Sequence, residues 1–349
     1  MIVLGQEMAE EDTEVELENP EGVRVSVLLM VRESDLELTR CLKSLSNQIL
    51  DDMEVLCLVS VPENETDLYK NQLSILSDFA KKDSRLRIVR TKMTDYGVIM
   101  NAGIKIARGE YLGIINTNDF IDPEMYIELF ALAKKHDADI VRSNYFEYLN
   151  ETDRLHESFL AEDADKLKNP EEDTSIFYQP PILGCGLYRR GFLIDKKLAF
   201  FNSLSSKPQD ASYNFKLLSS TDKLVLTNKA YLHHPEDDAK SIIKTEEMYL
   251  INMEYAETEK FLKSRGTWET YGKLFEAVKF ASYFLNMLRL ENKNLEPYVL
   301  RTRAEFHDAE DRGYIDKKYF PKEHWKTLQS ILKYPPSIFL LSFRKYRKK

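Results

Sequence analysis

The sequence predicts an α/β protein with a mostly parallel central sheet flanked by helices, followed by a helical C-terminal region. Short apolar segments alternate with helical segments as far as about residue 148, which is the pattern of βαβ units. The segment from Val23 to Val31 is almost entirely apolar and β-branched, as expected of a strand that is covered on both faces. From Ser241 onward only helical periodicity remains.

The 349 residues divide into three predicted parts. Residues 1–22 form an acidic arm, in which residues 7–21 carry eight acidic side chains and no Lys or Arg. Residues 23–235 form the α/β domain, with one half at 23–148 and the other at 174–235. Residues 240–349 form the helical region and end in a basic tail.

The elements are predicted in order from apolar runs, periodicity and capping signals. Strands are expected at 23–31, 53–59, 86–89, 111–115, 139–148 and 182–188, with one bent strand or two short ones at 224–234. A capping box at Ser34 to Glu37 starts the first helix, and Asp122-Pro123 is the expected start of a helix that ends near His136. The charged residues 150–173 are expected to form a loop. Further helices are expected at 69–80, 95–107, 189–196, 210–218, 241–265, 268–291, 295–309 and 322–333.

Net charge, missing motifs and hydropathy argue against several classes of function. The net charge of -9 argues against a general nucleic-acid binder. No GxGxxG follows the first strand and no Walker sequence is present, which argues against dinucleotide-binding and P-loop proteins. No apolar run reaches the length of a membrane-spanning helix, and no signal peptide is expected. The three scattered cysteines indicate a reducing compartment.

The most informative stretch is Gly109 to Pro123, GEYLGIINTNDFIDP. An apolar strand runs into four polar residues, Asn116-Thr117-Asn118-Asp119. Open α/β sheets bind ligands at the carboxyl ends of their strands, so this polar turn is the predicted site.

Several segments together resemble the family-2 glycosyltransferases of the glycosyltransferase-A fold. NAGIKIARGEYLGIINTNDFIDPEMYIELFALAKKHDADIV resembles the block around that family's Asp-x-Asp-Asp motif. VRVSVLLMV with ESDLELTRCLKSLSNQ resembles its opening strand and helix, and GCGLYRRGFL followed by QDASYNFKLL resembles its acceptor-side block. The resemblance covers about residues 23–235. It implies transfer of a sugar, with inversion, from a nucleotide sugar to a surface glycan or glycolipid precursor.

The resemblance places the catalytic base, which takes the proton of the acceptor hydroxyl, at Asp210. The family's preceding Glu is Gln209 here. From spacing alone, Asp210 is equally an N-cap of the helix that follows. The metal of the family falls on Asp119 with Asn118, a weakened site for Mg²⁺ or Mn²⁺, because both acids of the Asp-x-Asp are amides.

Donor-binding positions implied by the resemblance are Arg32, Gly97, Asn101, Asn116, Asn118 and His234. Arg32 would compensate for lost metal charge by pairing with phosphate. Asn116 and Asn118 are also consistent with simple caps of the strand-to-helix turn, and His234 with a surface or capping histidine.

The final stretch, 334–349, places Ile338-Phe339-Leu340-Leu341 beside a basic end. This combination suits docking on an anionic membrane surface, and a solvated basic tail is the alternative.

The sequence leaves two hypotheses for the function of the protein. One is a cytoplasmic glycosyltransferase, peripheral on the inner face of the membrane, with reduced activity. The other is an inactive relative that acts as a binding or partner subunit.

Overall fold

The computed structural model describes residues 2–4, 22–31, 35–64, 66–203, 209–235, 243 and 245–347. The chain divides into two compact units, Met1–Glu236 and Asp237–Lys349. Most of the predicted acidic arm, the capping-box serine Ser34 and the predicted donor residue Arg32 lie outside the described residues. Within them, no helix is long and apolar enough to cross a membrane.

The described part of the first unit contains one sheet of eleven strands. Their bounds are β1 Ile2–Leu4, β2 Val25–Val31, β3 Met53–Ser60, β4 Leu86–Thr91, β5 Tyr111–Asn116, β6 Phe120–Ile121, β7 Ile140–Leu149, β8 Thr152–His156, β9 Leu167–Lys168, β10 Gly186–Arg189 and β11 Leu224–Pro235. The order is β1-β4-β3-β2-β5-β10-β7-β11-β6, with β8 on β7 and β9 on β11.

Helices flank the sheet. They are α1 Asp35–Ser46, α2 Asp67–Ala80, α3 Tyr96–Ile106, α4 Met125–His136, α5 Arg190–Asp195 and α6 Asp210–Leu218. The strands from β1 to β5 pair in parallel, as the βαβ pattern predicts. Beyond β5 the sheet is mixed, because β10 inserts antiparallel between β5 and β7. The predicted α/β class is therefore confirmed.

The central strands are buried because both faces are covered. Every residue of β2 is buried, and β5 is buried up to its last residue, Asn116. Parallel pairing aligns Met30 with Asn116. The carboxyl ends of β2 and β5 thus lie side by side, at the edge where the polar turn begins.

Two local predictions were wrong. Helix α4 begins at Met125 with Glu124 as N-cap, because Asp122 is engaged elsewhere: its carbonyl accepts from Gln48 Nε2 at 2.7 Å and its carboxylate faces His233. The predicted loop at 150–173 contains β8, an exposed edge strand with no apolar signal, reached through a turn with positive φ at Asn150 and Glu151. The short edge strand β1 lies at the start of the predicted N-terminal arm, ahead of its acidic residues.

The second unit contains five α-helices in its described part. They are α7 Leu250–Ser264, α8 Trp268–Arg289, α9 Asn292–Asp311, α10 Lys322–Lys333 and α11 Pro336–Tyr346. Aromatic side chains fill its core, as the apolar face of α8 predicts; Phe280 and Phe306 meet edge-to-face at 5.3 Å between ring centroids. Helix α11 was not predicted. Its Pro-Pro sequence reads as a break, but Pro336 occupies the first helical turn, where its fixed φ favours the helix.

Candidate active site

Asp119 closes the polar turn after β5 through two hydrogen bonds with Asn116. The Asp119 N–H donates to the Asn116 carbonyl at 3.1 Å, and the Asn116 N–H donates to Asp119 Oδ2 at 3.2 Å. The Asp119 side chain is fully buried, whereas Asn116 and Asn118 are half-buried. The turn therefore presents amide side chains outward and holds its single carboxylate inward.

His234 reaches this carboxylate from β11. Strand β11 pairs antiparallel with β6, immediately after the turn, and places His234 Nδ1 2.7 Å from Asp119 Oδ1. The neighbouring His233 has a different role: it stacks on Phe120 at 4.3 Å between centroids and bonds Asp153 at 2.8 Å. The two predicted site residues, Asp119 and His234, are thus in direct contact, although 115 positions separate them.

Asp210 is the first residue of α6, and Gln209, not Asp210, is the N-cap. The residue keeps some exposed surface, but its Oδ1 is shielded from solvent and has no hydrogen-bond partner among the described residues. Burial raises the pKa of its carboxyl to about 6. The charge of Asp119 acts in the same direction, while His234, the Leu183 N–H and Arg142 oppose it.

Arg142 is a site residue that the sequence analysis missed. It lies in the middle of β7, is 1% exposed, and its Nε and Nη2 have no hydrogen-bond partner in the described part of the chain. Burial acts to lower its pKa, but Tyr188, Cys185 and Asp210 raise it above the usual value. The guanidinium is therefore a buried cation close to the candidate base.

The segment 184–186 passes tightly between these groups. A Cβ on Gly184 would lie 3.2 Å from Leu232 Cδ2 and 3.5 Å from Asp119 Oδ2, and a Cβ on Gly186 would lie 2.8 Å from the Val141 carbonyl. Since real Cβ contacts below 3.0 Å essentially never occur, Gly186 is required by the close backbone approach. The two glycines of the GCGLY sequence thus lie close to Asp119 at position 184 and to Arg142 at position 186.

Gly97 and Asn101, predicted donor-binding residues on α3, contact the segment that precedes Asp210. The Asn101 amide donates to the Phe200 carbonyl at 2.9 Å and accepts from the Phe200 N–H at 2.8 Å. A Cβ on Gly97 would lie 2.1 Å from the Phe201 carbonyl oxygen. Gly97 and Asn101 therefore hold the backbone of residues 200–201 in place.

Gln209 completes this clamp. Its Oε1 accepts from the Phe201 N–H at 2.8 Å, and its Nε2 donates to the Phe201 carbonyl at 2.6 Å. An amide can accept and donate in this way, whereas an ionised carboxylate can only accept. The replacement of the family's Glu by Gln209 therefore has a structural reason.

Arg40 holds the outer side of the turn. Its Nη2 donates to the Asn118 carbonyl at 3.0 Å, and its guanidinium lies 4.6 Å from the ring centroid of Phe120 and 4.7 Å from that of Tyr148. No sequence motif marks Arg40, because its partners come from three distant elements.

A family match covers most of the first unit. Residues 26–195 match the family described as glycosyl transferase family 2. They form a family-2 glycosyltransferase domain. The matched range contains the polar turn, Arg142 and segment 184–186, whereas Asp210 and His234 lie beyond it.

Relatives with curated names agree with this assignment. EpsH of Bacillus subtilis, whose name places it among the glycosyltransferases, is 28% identical over 180 residues, covering 50% of this chain and 50% of EpsH. The glycosyltransferase GlyG of Streptococcus pneumoniae is 27% identical over 125 residues, covering 36% of this chain and 40% of GlyG. The chain thus spans about half the length of the curated relatives it matches.

Solved structures of a Staphylococcus aureus protein share the fold. TarS residues 1–349 in complex with UDP-GlcNAc superimpose with a TM-score of 0.56 at 15% identity, covering 88% of this chain and 91% of that one. The complex with UDP gives 0.53 at 18% identity, with 88% and 90% covered. At these identities the likeness concerns the fold alone.

A glycosyltransferase-A domain often uses a divalent metal, and the described residues do not fit one. Asp119 Oδ1 is bonded to His234, its Oδ2 accepts the Asn116 N–H, and its side chain has no exposed surface. Among the described residues, no group of three or more His, Cys, Asp or Glu side chains could hold a metal ion. In this arrangement the predicted Asp119–Asn118 pair lacks the oxygen ligands that Mg²⁺ or Mn²⁺ requires.

Proposed function

We propose that the first unit transfers a sugar, with inversion, from a nucleotide sugar to a hydroxyl of a glycan or lipid-linked acceptor. The single observation that carries this proposal is the Asp210 carboxyl, buried beside the Asp119–His234 pair with its pKa raised to about 6. Perturbed carboxyls in such settings are typical of catalytic groups. The family match and the fold shared with a protein solved with UDP-GlcNAc support the choice of donor class.

Asp210 acts as the general base. A carboxyl with a pKa of about 6 is mostly ionised at pH 7 and is a stronger proton acceptor than an ordinary aspartate. It takes the proton of the acceptor hydroxyl while that oxygen attacks the anomeric carbon. The bond from that carbon to the nucleoside diphosphate breaks, and the diphosphate leaves with its electron pair. Product release then returns the proton to solvent.

The diphosphate needs positive charge, and we assign that role to side chains. Donor binding is proposed for Arg32, Gly97, Asn101, Asn116, Asn118 and His234. His234 and the buried Arg142 both lower the pKa of Asp210 through their charge, and we assign to them the positive charge near the candidate base. Gly97 and Asn101 contribute by fixing the backbone at Phe200 and Phe201, next to α6.

A second candidate is a non-catalytic relative that serves as a binding or partner subunit. One observation favours it. Both oxygens of Asp119 already have hydrogen-bond partners inside the protein, so the carboxylate of the family's metal motif is not available to a ligand.

We also propose a cytoplasmic location, which the three free, buried cysteines support.

The deciding experiment is a panel of nucleotide sugars, read by thermal shift and by release of nucleotide, with Mn²⁺ and with EDTA. We expect donor binding and slow nucleotide release that EDTA does not abolish. The variant Asp210→Asn should lose at least a hundredfold in turnover and retain donor binding. Its matched control is Asp67→Asn, because Asp67 is also the first residue of a helix, α2, but is exposed.

The outcomes separate the two candidates. Turnover that Asp210→Asn removes and Asp67→Asn preserves excludes the non-catalytic relative. Failure of every nucleotide sugar to bind, with or without Mn²⁺, excludes the enzyme. Binding that requires Mn²⁺ contradicts the assignment of the diphosphate charge to side chains alone.

A further inference from the structure

Helix α11 presents two opposite faces. Phe339, Leu340 and Phe343 are buried on one face. On the other face Ile338 is 54% exposed and Leu341 is 65% exposed. Tyr334, just before the helix, and Tyr346, its last residue, are also about half exposed. Tyr334, Ile338 and Leu341 therefore present large side chains to solvent, whereas the ring of Tyr346 also contacts Phe284 and Phe343.

Helix α11 is held in place through its buried face and through both of its ends. Phe343 packs against Phe284 of α8 at 6.0 Å between ring centroids. Arg347 donates to the Leu290 carbonyl, and Arg303 of α9 donates to the Tyr334 carbonyl. The helix is thus fixed at both ends to its own unit, and its outer face has a defined position in that unit.

The surroundings of this face are basic. From His324 to Lys349 the sequence has seven Lys or Arg residues and no Asp or Glu, in a chain whose net charge is -9. Lys333, Arg344 and Lys345 are exposed beside the apolar side chains. A positive surface on an acidic protein orients the molecule towards a negatively charged partner and turns the rest of the chain away from it.

We propose that this surface, defined by Lys333, Tyr334, Ile338, Leu341, Arg344 and Lys345, docks on an anionic phospholipid bilayer. Apolar side chains that insert shallowly between headgroups, tyrosines at the interface and flanking basic residues are the combination that such a surface recognises. Nucleic acid would use the positive charge but leave Ile338 and Leu341 in water. The proposal does not depend on whether the first unit transfers sugar.

The first test measures partition of the full chain onto vesicles by co-sedimentation. We expect binding to vesicles that contain phosphatidylglycerol and little binding to pure phosphatidylcholine. The double variant Ile338→Ser with Leu341→Ser should bind the anionic vesicles at least tenfold more weakly. The control is Leu300→Ser on α9, since Leu300 is 49% exposed in the same unit and lies outside the proposed surface.

The second test removes charge. Arg344→Gln with Lys345→Gln should weaken binding by about fivefold for each charge lost, and added salt should weaken the unmodified protein in the same direction. Lys317→Gln with Lys318→Gln is the matched control, because both lysines are exposed in the same unit. Far-ultraviolet circular dichroism checks that every variant is folded.

Equal binding to both kinds of vesicle, no binding to either, or equal weakening by the control variants would overturn the proposal. So would binding to single- or double-stranded nucleic acid that exceeds binding to vesicles. Because the readout is partition and not turnover, an inactive first unit leaves the result interpretable.

Discussion

At the scale of single residues, the site is a small group of charges buried together. Asp119 raises the pKa of the Asp210 carboxyl through its charge, His234 and Arg142 lower it, and Asp210 in turn raises the pKa of the Arg142 guanidinium. Removing Asp119, His234 or Arg142 is therefore expected to change the pKa of the Asp210 carboxyl. Two measurable consequences concern the carboxyl of Asp210 and the guanidinium of Arg142.

We predict that Asp210→Asn stabilises the protein at neutral pH relative to acid pH. The folded-state pKa of about 6 lies above the unfolded value of about 3.9, so the folded state binds more protons between these values. The stability that Asp210 contributes is therefore present below about pH 4 and is lost as pH rises to about 6. The difference in unfolding free energy between the variant and the unmodified protein should grow by about 2 kcal/mol from pH 4 to pH 7.

Urea denaturation at several pH values measures this difference. Asp67→Asn, the exposed helix-start control, should give a difference that is flat with pH. A flat profile for Asp210→Asn as well would mean that the Asp210 carboxyl is solvated in the folded protein.

We predict that Arg142 is a positioning residue that keeps Asp210 ionised. Its positive charge lowers the pKa of that carboxyl, so Arg142→Met should raise the Asp210 pKa and move the acid limb of the pH–turnover profile to higher pH. Arg142→Lys should restore part of the shift, because it retains the charge. If Met and Lys variants lose activity equally with an unchanged profile, Arg142 has only a packing role.

At the scale of elements, the clamp between α3 and the segment before α6 sets where Asp210 lies. We predict that Gln209→Glu destabilises the protein at pH 7 by about 2 kcal/mol, although it restores the residue of the family's motif. A carboxylate cannot donate to the Phe201 carbonyl, so two acceptors would face each other in a buried place. Gln179→Glu, at a half-exposed position, is the control for the added charge.

Thermal denaturation at pH 7 and pH 4 tests the clamp. The loss for Gln209→Glu should shrink at acid pH, where a protonated Glu side chain can donate again. Equal loss at both pH values would show that the change acts through shape and not through the missing donor.

The elements themselves were largely predictable. Strands β2, β3 and β5 follow from mostly apolar runs, and α6 and α10 were placed at their observed bounds, because local periodicity reports burial directly. Local periodicity does not predict an element that has no buried face. It is also misleading where a residue type can either end or start a helix. The exposed strand β8 has no apolar face, and Pro335-Pro336 looks like an end while starting α11.

The site was only partly predictable, because its contacts are long-range. The turn at 116–119 and Asp210 carry recognisable motifs. The Asp119–His234 bond depends on the pairing of β11 with β6, which no local pattern specifies. Arg142 sits in a strand whose other residues suggest an ordinary core, and only the structure reveals a buried cation there.

At the scale of the whole molecule, each unit has its own interior. The sheet and its helices enclose the aliphatic core of the first unit, which includes Val27, Leu29 and Leu42. In the second unit the interior is aromatic, with Phe275, Phe280, Tyr283, Tyr298 and Phe306 fully or almost fully buried. A unit with its own buried core meets the physical requirement for folding by itself.

We predict that residues 237–349, expressed alone, form a helical protein that unfolds cooperatively. A segment of this size buries enough surface for independent stability, and its buried Glu276 carboxylate has its ion-pair partner, Lys279 at 2.6 Å, within the same helix. Circular dichroism should show a helical spectrum and a single sigmoidal thermal transition. Phe280→Ala, which removes a ring packed on Phe306 and Phe320, should lower its stability by about 3 to 5 kcal/mol, whereas exposed Leu300→Ala should change it by less than about 1 kcal/mol. A gradual, non-cooperative melt of the isolated segment would mean that its core depends on the rest of the chain.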